Sequence, residues 1–181
     1  MTRVNLVDPA AASADVKPAL DQIKGAFGVV PNMLKAVANS PAALTSLWGA
    51  FGALGGGKLG ARLGEEIAVA IANANNCEYC LAAHTALGRK AGATTEEMAA
   101  AQVGTSADAR TQAALTFALK VVRDRAAISE GDVAALKAAG FDDEGVVEII
   151  AHVALNLFTN YVNVALDVPV DFPGVRLKSA A

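Results

Sequence analysis

The two cysteines of this chain stand three positions apart, in Cys77-Glu78-Tyr79-Cys80. A pair at that spacing serves redox chemistry, supplies half of a metal site, or is simply two small buried residues. On a helix, positions i, i+3 and i+7 share a face, so Cys77, Cys80 and His84 stack along one side and the imidazole can reach the second sulfur. A carboxylate can join them. Glu65 lies ten residues before Asn75 and His84 nine after it. A chain reversal near Asn75 therefore brings the two level on neighbouring antiparallel helices, at a rise of ~1.5 Å per residue. Glu66 competes for the same role, and spacing does not choose between them.

Each group then has a task. A cysteine at a helix N-terminus has its thiolate stabilised by unpaired backbone N–H groups and the helix dipole. His84 can take the proton of Cys80, and a carboxylate on the other ring nitrogen fixes the tautomer, an arrangement that contributes ~10²–10⁴-fold in rate. A thiolate of this kind attacks the O–O bond of a peroxide to give a sulfenic acid, which a neighbouring thiol condenses to a disulfide. Zinc would need four ligands, and only Cys77, Cys80, His84 and the distant His152 are Cys or His. Three ligands on one helix face close a tetrahedron poorly, so no metal is expected. The chain has no G-x-G-x-x-G, Walker or CxxCH sequence, and no organic cofactor is expected.

The elements that must position these residues read as helices throughout. With 41 alanines and 54% apolar residues in 181, the chain favours helix over sheet, and the expected class is all-α in a single domain over 1–181. Apolar spacing predicts a first helix over Asp15 to Phe27, and Asn32 is expected to cap a second through Ala38. Ser40-Pro41 opens a third that runs to the Gly55-Gly56-Gly57 break, read as a hinge. A stripe from Leu63 to Ala74 predicts a fourth, which ends in a turn at Asn75-Asn76, and the cysteine helix follows to about Gly92. Thr95 opens a short helix to Gln102, Ser106 or Asp108 caps one to about Arg125, Ser129 caps another to Gly140, and Asp142 starts the last, to about Leu166. The picture is a compact helical domain with the CxxC helix antiparallel to its predecessor.

Composition excludes several partners. The net charge is −3 without a cluster of basic residues, which argues against nucleic acid. The N-terminal twenty residues hold no apolar run of the kind a secretory signal needs, and the uncharged stretch 36–57 is broken by Asn39, Ser40, Pro41 and glycines, so a cytoplasmic protein without a membrane span is expected. In the last helix, His152, Asn156, Thr159, Asn160 and Asn163 form a polar seam, read chiefly as a packing or interface feature, with His152 a candidate pocket residue. Trp48, Phe51, Phe117, Phe158 and Tyr161 read as core or interface filling.

The run Glu65 to His84, E-x11-C-E-Y-C-x3-H, resembles the signature of the AhpD-like alkylhydroperoxidases of the carboxymuconolactone decarboxylase superfamily. The likeness extends through Phe27-Gly28-Val29-Val30-Pro31-Asn32 and Ser40-Pro41 upstream, and from Thr159-Asn160-Tyr161 to Asp171-Phe172-Pro173 downstream, in the manner of peroxidase-related members. It implies an all-α fold and a haem-free peroxidase in which Cys80 reacts with peroxide, Cys77 resolves it, and His84 and Glu65 relay protons. It also selects Glu65 over Glu66. It further implies a homo-oligomer, a trimer or hexamer, and a dithiol reductant such as a lipoylated or thioredoxin-like protein. Tyr79 replaces the histidine that the best-known pattern has between the cysteines, which removes one proton carrier, although the phenol can still donate a hydrogen bond. The competing readings are a decarboxylase or isomerase acting on a lactone-like acid, and a non-enzymatic redox-sensing assembly.

Overall fold

A computed structural model describes residues 2–178 of the chain. Its described residues form α1 (Lys17–Phe27), α2 (Asn32–Val37), α3 (Pro41–Gly55), α4 (Ala61–Ala74), α5 (Glu78–Lys90), α6 (Thr95–Ala101), α7 (Ala109–Arg123), α8 (Glu130–Ala138) and α9 (Asp143–Leu166), with no strand among them. The all-α expectation is met.

Most helix starts follow from side-chain caps, which satisfy backbone N–H groups that have no partner inside the helix. Ser40, Asp108, Ser129 and Asp142 each accept from the third residue on. Thr94 and Glu97 form a reciprocal capping box ahead of α6. The expected cap at Asn32 is not found. Pro31 occupies the cap position, Asn32 is the first helical residue, and its N–H donates instead to Asp171 Oδ2 at 2.8 Å. A carboxylate from the far end of the chain thus caps α2. The first helix begins at Lys17 and not Asp15, because Pro18 in its first turn needs no N–H partner and fixes the start.

The triglycine is not a loose hinge. Lys58 and Leu59 donate their backbone N–H groups to the two carboxylate oxygens of Glu148 on α9, at 2.9 and 3.0 Å. Gly57 is the position that admits this carboxylate, since a Cβ there would overlap it.

α4 is the centre of the bundle. It packs on α5, α6, α7 and α9, and everything from Leu63 to Asn73 except Glu65 is buried. A helix apolar on nearly all sides has to be surrounded. Its small residues Ala68, Ala70 and Ala72 let neighbours approach, with Ile67, Ile71, Leu81, Leu115 and Ile149 filling the core around them. α9 is long and apolar enough to cross a bilayer by length and composition alone. It packs on α2, α3, α4, α5, α7 and α8 through a face that buries Val146, Ile149, Val153, Asn156, Thr159, Asn160 and Asn163, while Val147, Ile150, Phe158 and Tyr161 stand exposed on another.

Three residues, Asn75, Asn76 and Cys77, join α4 to α5. Asn76 takes the left-handed conformation at φ 55, which asparagine tolerates better than most residues, and the chain reverses there. The antiparallel α4–α5 pair is close at its far end. A Cβ on Gly88 would lie 3.3 Å from Glu65 Cβ and 2.6 Å from Met98 Sδ. Gly88→Val should therefore push α5 away from α4 and α6 and destabilise the fold by about 1–3 kcal/mol, the usual cost of overpacking. Urea unfolding with an unchanged slope and a lower midpoint is the expected result, and an unaltered midpoint would refute the close-approach argument.

Candidate active site

Cys77 is the N-cap residue of α5. Its backbone is extended (φ −93, ψ 91) and its sulfur accepts the N–H of Cys80 at 3.2 Å, a place usually held by a serine or aspartate oxygen. The two cysteines form a disulfide with a Cα separation of 5.3 Å, within the range such bridges use. Both are nearly fully buried, Cys77 at 1% and Cys80 at 2% exposure, so reagents reach them only through cavities.

One turn further along α5, His84 Nδ1 lies 2.7 Å from Glu65 Oε2 on α4. Glu65 is the acid that meets the ring. Glu66 turns to the other side of α4, where Arg62 Nε holds it at 3.3 Å and burial pushes its carboxyl above the usual range. Because Nδ1 is taken by the carboxylate, Nε2 is the nitrogen left for the cavity that His84 lines.

That cavity, about 310 Å³, brings Cys80, His84 and Glu65 to one space. Its walls are apolar and aromatic, with Phe27 and Trp48 in tilted ring contact, Phe51 from α3, Met33 and Leu34 from α2, and Phe172 from the C-terminal segment. Trp48 and Phe51 are thus cavity walls, which corrects their reading as plain filling. Phe117 is core as expected, and Phe158 and Tyr161 lie exposed on α9.

Tyr79 organises one wall. Its hydroxyl accepts the Met33 N–H at 3.2 Å and its ring meets Phe172 edge-on at 5.7 Å. Burial pushes the phenol far above its ordinary pKa, with the Asp171 carboxylate adding to the shift. Tyr79 is thus favoured in its neutral form, and its hydroxyl positions the start of α2.

The polar seam of α9 separates into pieces. Asn160 Oδ1 accepts from Asn75 Nδ2 at 2.9 Å and pins the α4–α5 turn, whereas Asn156 and Thr159 bond to their own helix backbone. Asn163 does something that the sequence reading left aside: its Nδ2 donates to Cys80 Sγ at 3.2 Å. His152 lies outside the main cavity. It borders a smaller space of about 130 Å³ that it shares with Glu65 and His84, and burial lowers its pKa. The spacing of the seam could not have singled out Asn163, because five polar residues repeat at the same helical steps.

Residues 39–124 match the carboxymuconolactone decarboxylase family. A peroxidase-related protein of uncharacterised function from Silicibacter sp. TM1040 shares 28% identity, with 93% of this chain and 91% of that one superposed at a TM-score of 0.82. The alkylhydroperoxidase AhpD core of a peroxidase-related protein from Ralstonia eutropha JMP134 shares 27%, over 94% and 92% of the two chains at a TM-score of 0.84. The chain has the AhpD-like fold, and its segment 39–124 is similar to the carboxymuconolactone decarboxylase family. The debrominase Bmp8, solved with 2,3,4-tribromopyrrole, has the same fold at 22% identity, covering 94% of each chain at a TM-score of 0.78. No curated protein matches.

In this site a buried amide donor beside the sulfur favours the thiolate over the thiol in the reduced protein. Replacing Asn163 by Leu removes the donor and should move the pH midpoint of Cys80 alkylation upward by about one unit, since a hydrogen bond to a charged group contributes roughly 1.5–3 kcal/mol. Iodoacetamide labelling across pH in a Cys77→Ser background measures this, and an unmoved midpoint would remove Asn163 from the site.

Proposed function

We propose that the protein is a thiol-dependent reductase of organic hydroperoxides that cycles Cys77 and Cys80 between dithiol and disulfide. The observation that carries the reading is the 2.7 Å His84–Glu65 pair, set in the same cavity as a sulfur that is already disulfide-bonded to its neighbour. A proton acceptor, its orienting carboxylate and a redox-competent thiol share one apolar space. The peroxidase-related relatives support the reading.

In the reduced protein His84 takes the Cys80 proton, and Asn163 holds the thiolate. The thiolate attacks the terminal oxygen of ROOH, the O–O bond breaks, and RO⁻ takes the proton from His84 to leave as ROH. Cys80 is then a sulfenic acid. Cys77 attacks its sulfur, water departs with the thiol proton, and the disulfide is restored. A dithiol, of the kind a lipoylated or thioredoxin-like protein carries, returns the two electrons.

The aromatic walls suit an apolar R group, and no cation lines the cavity to receive a carboxylate. With cumene hydroperoxide and a dithiol, Cys80→Ser should abolish turnover. Glu65→Gln should lower kcat/KM by about 10²-fold or more, and Glu66→Gln by far less, because only Glu65 orients the ring. Equal rates in wild type and Cys80→Ser would end the proposal. Turnover of a lactone-like acid that survives loss of both cysteines would establish the decarboxylase reading in its place.

Self-association is part of the proposal. Val147 and Tyr161 on α9 are 66% and 62% exposed, and Ile150 and Phe158 continue the same stripe. An exposed apolar stripe of this kind marks an interface, here with further copies of the chain. Val147→Glu with Tyr161→Glu should lower the mass measured by light scattering on a size-exclusion column, and a wild-type protein already monomeric at micromolar concentration would refute the interface.

A further inference from the structure

We infer that the two sulfurs are served from different sides of the protein: hydroperoxide reaches Cys80 through the aromatic cavity, and the reducing dithiol attacks Cys77 from a separate polar cleft. This rests on the peroxidase reading for the first half and on the cavities alone for the second.

The cleft lies at the start of α5 and has a volume of about 390 Å³. Cys77 borders it and Cys80 does not, whereas Cys80 borders the aromatic cavity and Cys77 does not. Tyr79 and Asn163 border both, and so form the partition between the two spaces. The linings differ in chemistry. Aromatic rings dominate the first, while Asn76, Glu78 and Asp167 stand exposed around the second, with no lysine or arginine among its lining residues. Both sulfurs are too buried to meet a flat protein surface, so the reductant is a dithiol on a slender arm.

Leaving-group stability does not separate the two possible points of attack. Cys77 Sγ has the Cys80 N–H at 3.2 Å, and Cys80 Sγ has Asn163 Nδ2 at 3.2 Å. Access decides. A thiol entering the cleft gives its proton to solvent and attacks Cys77 Sγ as the thiolate, the Cys77–Cys80 bond breaks, and the electron pair leaves on Cys80, where Asn163 faces the charge and His84 passes a proton on from solvent. The second thiol of the partner then attacks the partner's own sulfur in the mixed disulfide and expels Cys77 as a thiolate, which takes up the remaining proton. The partner leaves as a disulfide, two electrons and two protons poorer.

The two half-reactions can be measured apart on the full chain. Disulfide formed with diamide is reduced by dihydrolipoamide, reduced protein is oxidised by cumene hydroperoxide, and both are followed by quenched alkylation and mass spectrometry. Val170→Trp fills the cleft, since Val170 is an exposed member of its lining. Gly52→Leu fills the aromatic cavity, where a Cβ meets open space. Val170→Trp should slow reduction about tenfold or more and leave oxidation nearly unchanged, and Gly52→Leu should do the reverse, because thiol exchange depends on which sulfur can be approached. The preserved half-reaction in each variant is its own control for folding, and Val170→Arg repeats the cleft test with a smaller change of shape. Slowing of reduction by Gly52→Leu, or reduction unaffected by either Val170 variant, overturns the inference. Absence of oxidation in wild type with reduction still controlled from the cleft would instead overturn the peroxidase reading and leave the cleft assignment standing.

Discussion

The hydrogen bond between Glu65 and His84 ties α4 to α5 and holds the two helices in register. It exists because α4 and α5 approach closely, and that approach exists because the residues between them are small. Alanines line α4, and Gly88 has no side chain where Glu65 and Met98 crowd α5. A larger residue at this seam would widen the gap, and a carboxylate–imidazole contact of 2.7 Å does not survive a shift of an ångström. The site is thus a consequence of backbone packing. The pair is partly shielded, with side chains 13% and 22% exposed, so the carboxylate acts on the ring across a medium less polar than water.

A second set of contacts closes the cavity from the far end of the chain. Asp171 caps α2 through the Asn32 N–H, the Asn32 amide donates to Pro169 O at 3.2 Å, and Phe172 packs edge-on against Tyr79. Tyr79 in turn receives the Met33 N–H. The start of α2, Tyr79 between the cysteines and one short C-terminal stretch therefore fix one another. The residue between the sulfurs has become a strut, which explains how a tyrosine serves where the best-known pattern carries an ionisable ring.

The sequence made the helical class, the nine elements and the reversal at Asn75-Asn76 legible, because caps, glycines and apolar spacing are local signals read over a few residues. The meeting of position 65 with position 84 was legible for the same reason, since a short turn converts counting along the chain into distance. What stayed hidden depends on contacts between distant segments. Asn163 and Cys80 are 83 residues apart, and Asn32 and Asp171 are 139 apart. An asparagine amide has no sequence context that announces a sulfur as its partner. Trp48 and Phe51 failed differently: an aromatic residue on a helix looks the same in a filled core and on the wall of a hollow one. Glu148 shows the reverse error, in which a local signal, three glycines, suggested freedom that a remote carboxylate removes.

The distribution of the site along the chain bears on how its chemistry can be varied. Glu65, Cys77, Cys80 and His84 all fall inside the segment 39–124 that matches the family. Asn163, Phe172 and the Val170 side of the polar cleft lie beyond it, and Phe27, Met33 and Leu34 precede it. The Glu65–His84 contact and both cysteines are therefore held by one tight helical pair, while the groups that touch the sulfur from outside and line much of the two cavities come from segments wrapped around that pair. Changes in those segments can alter what enters either side without disturbing the 2.7 Å contact at the centre. The same division accounts for the burial of both sulfurs, which the wrapping segments cover.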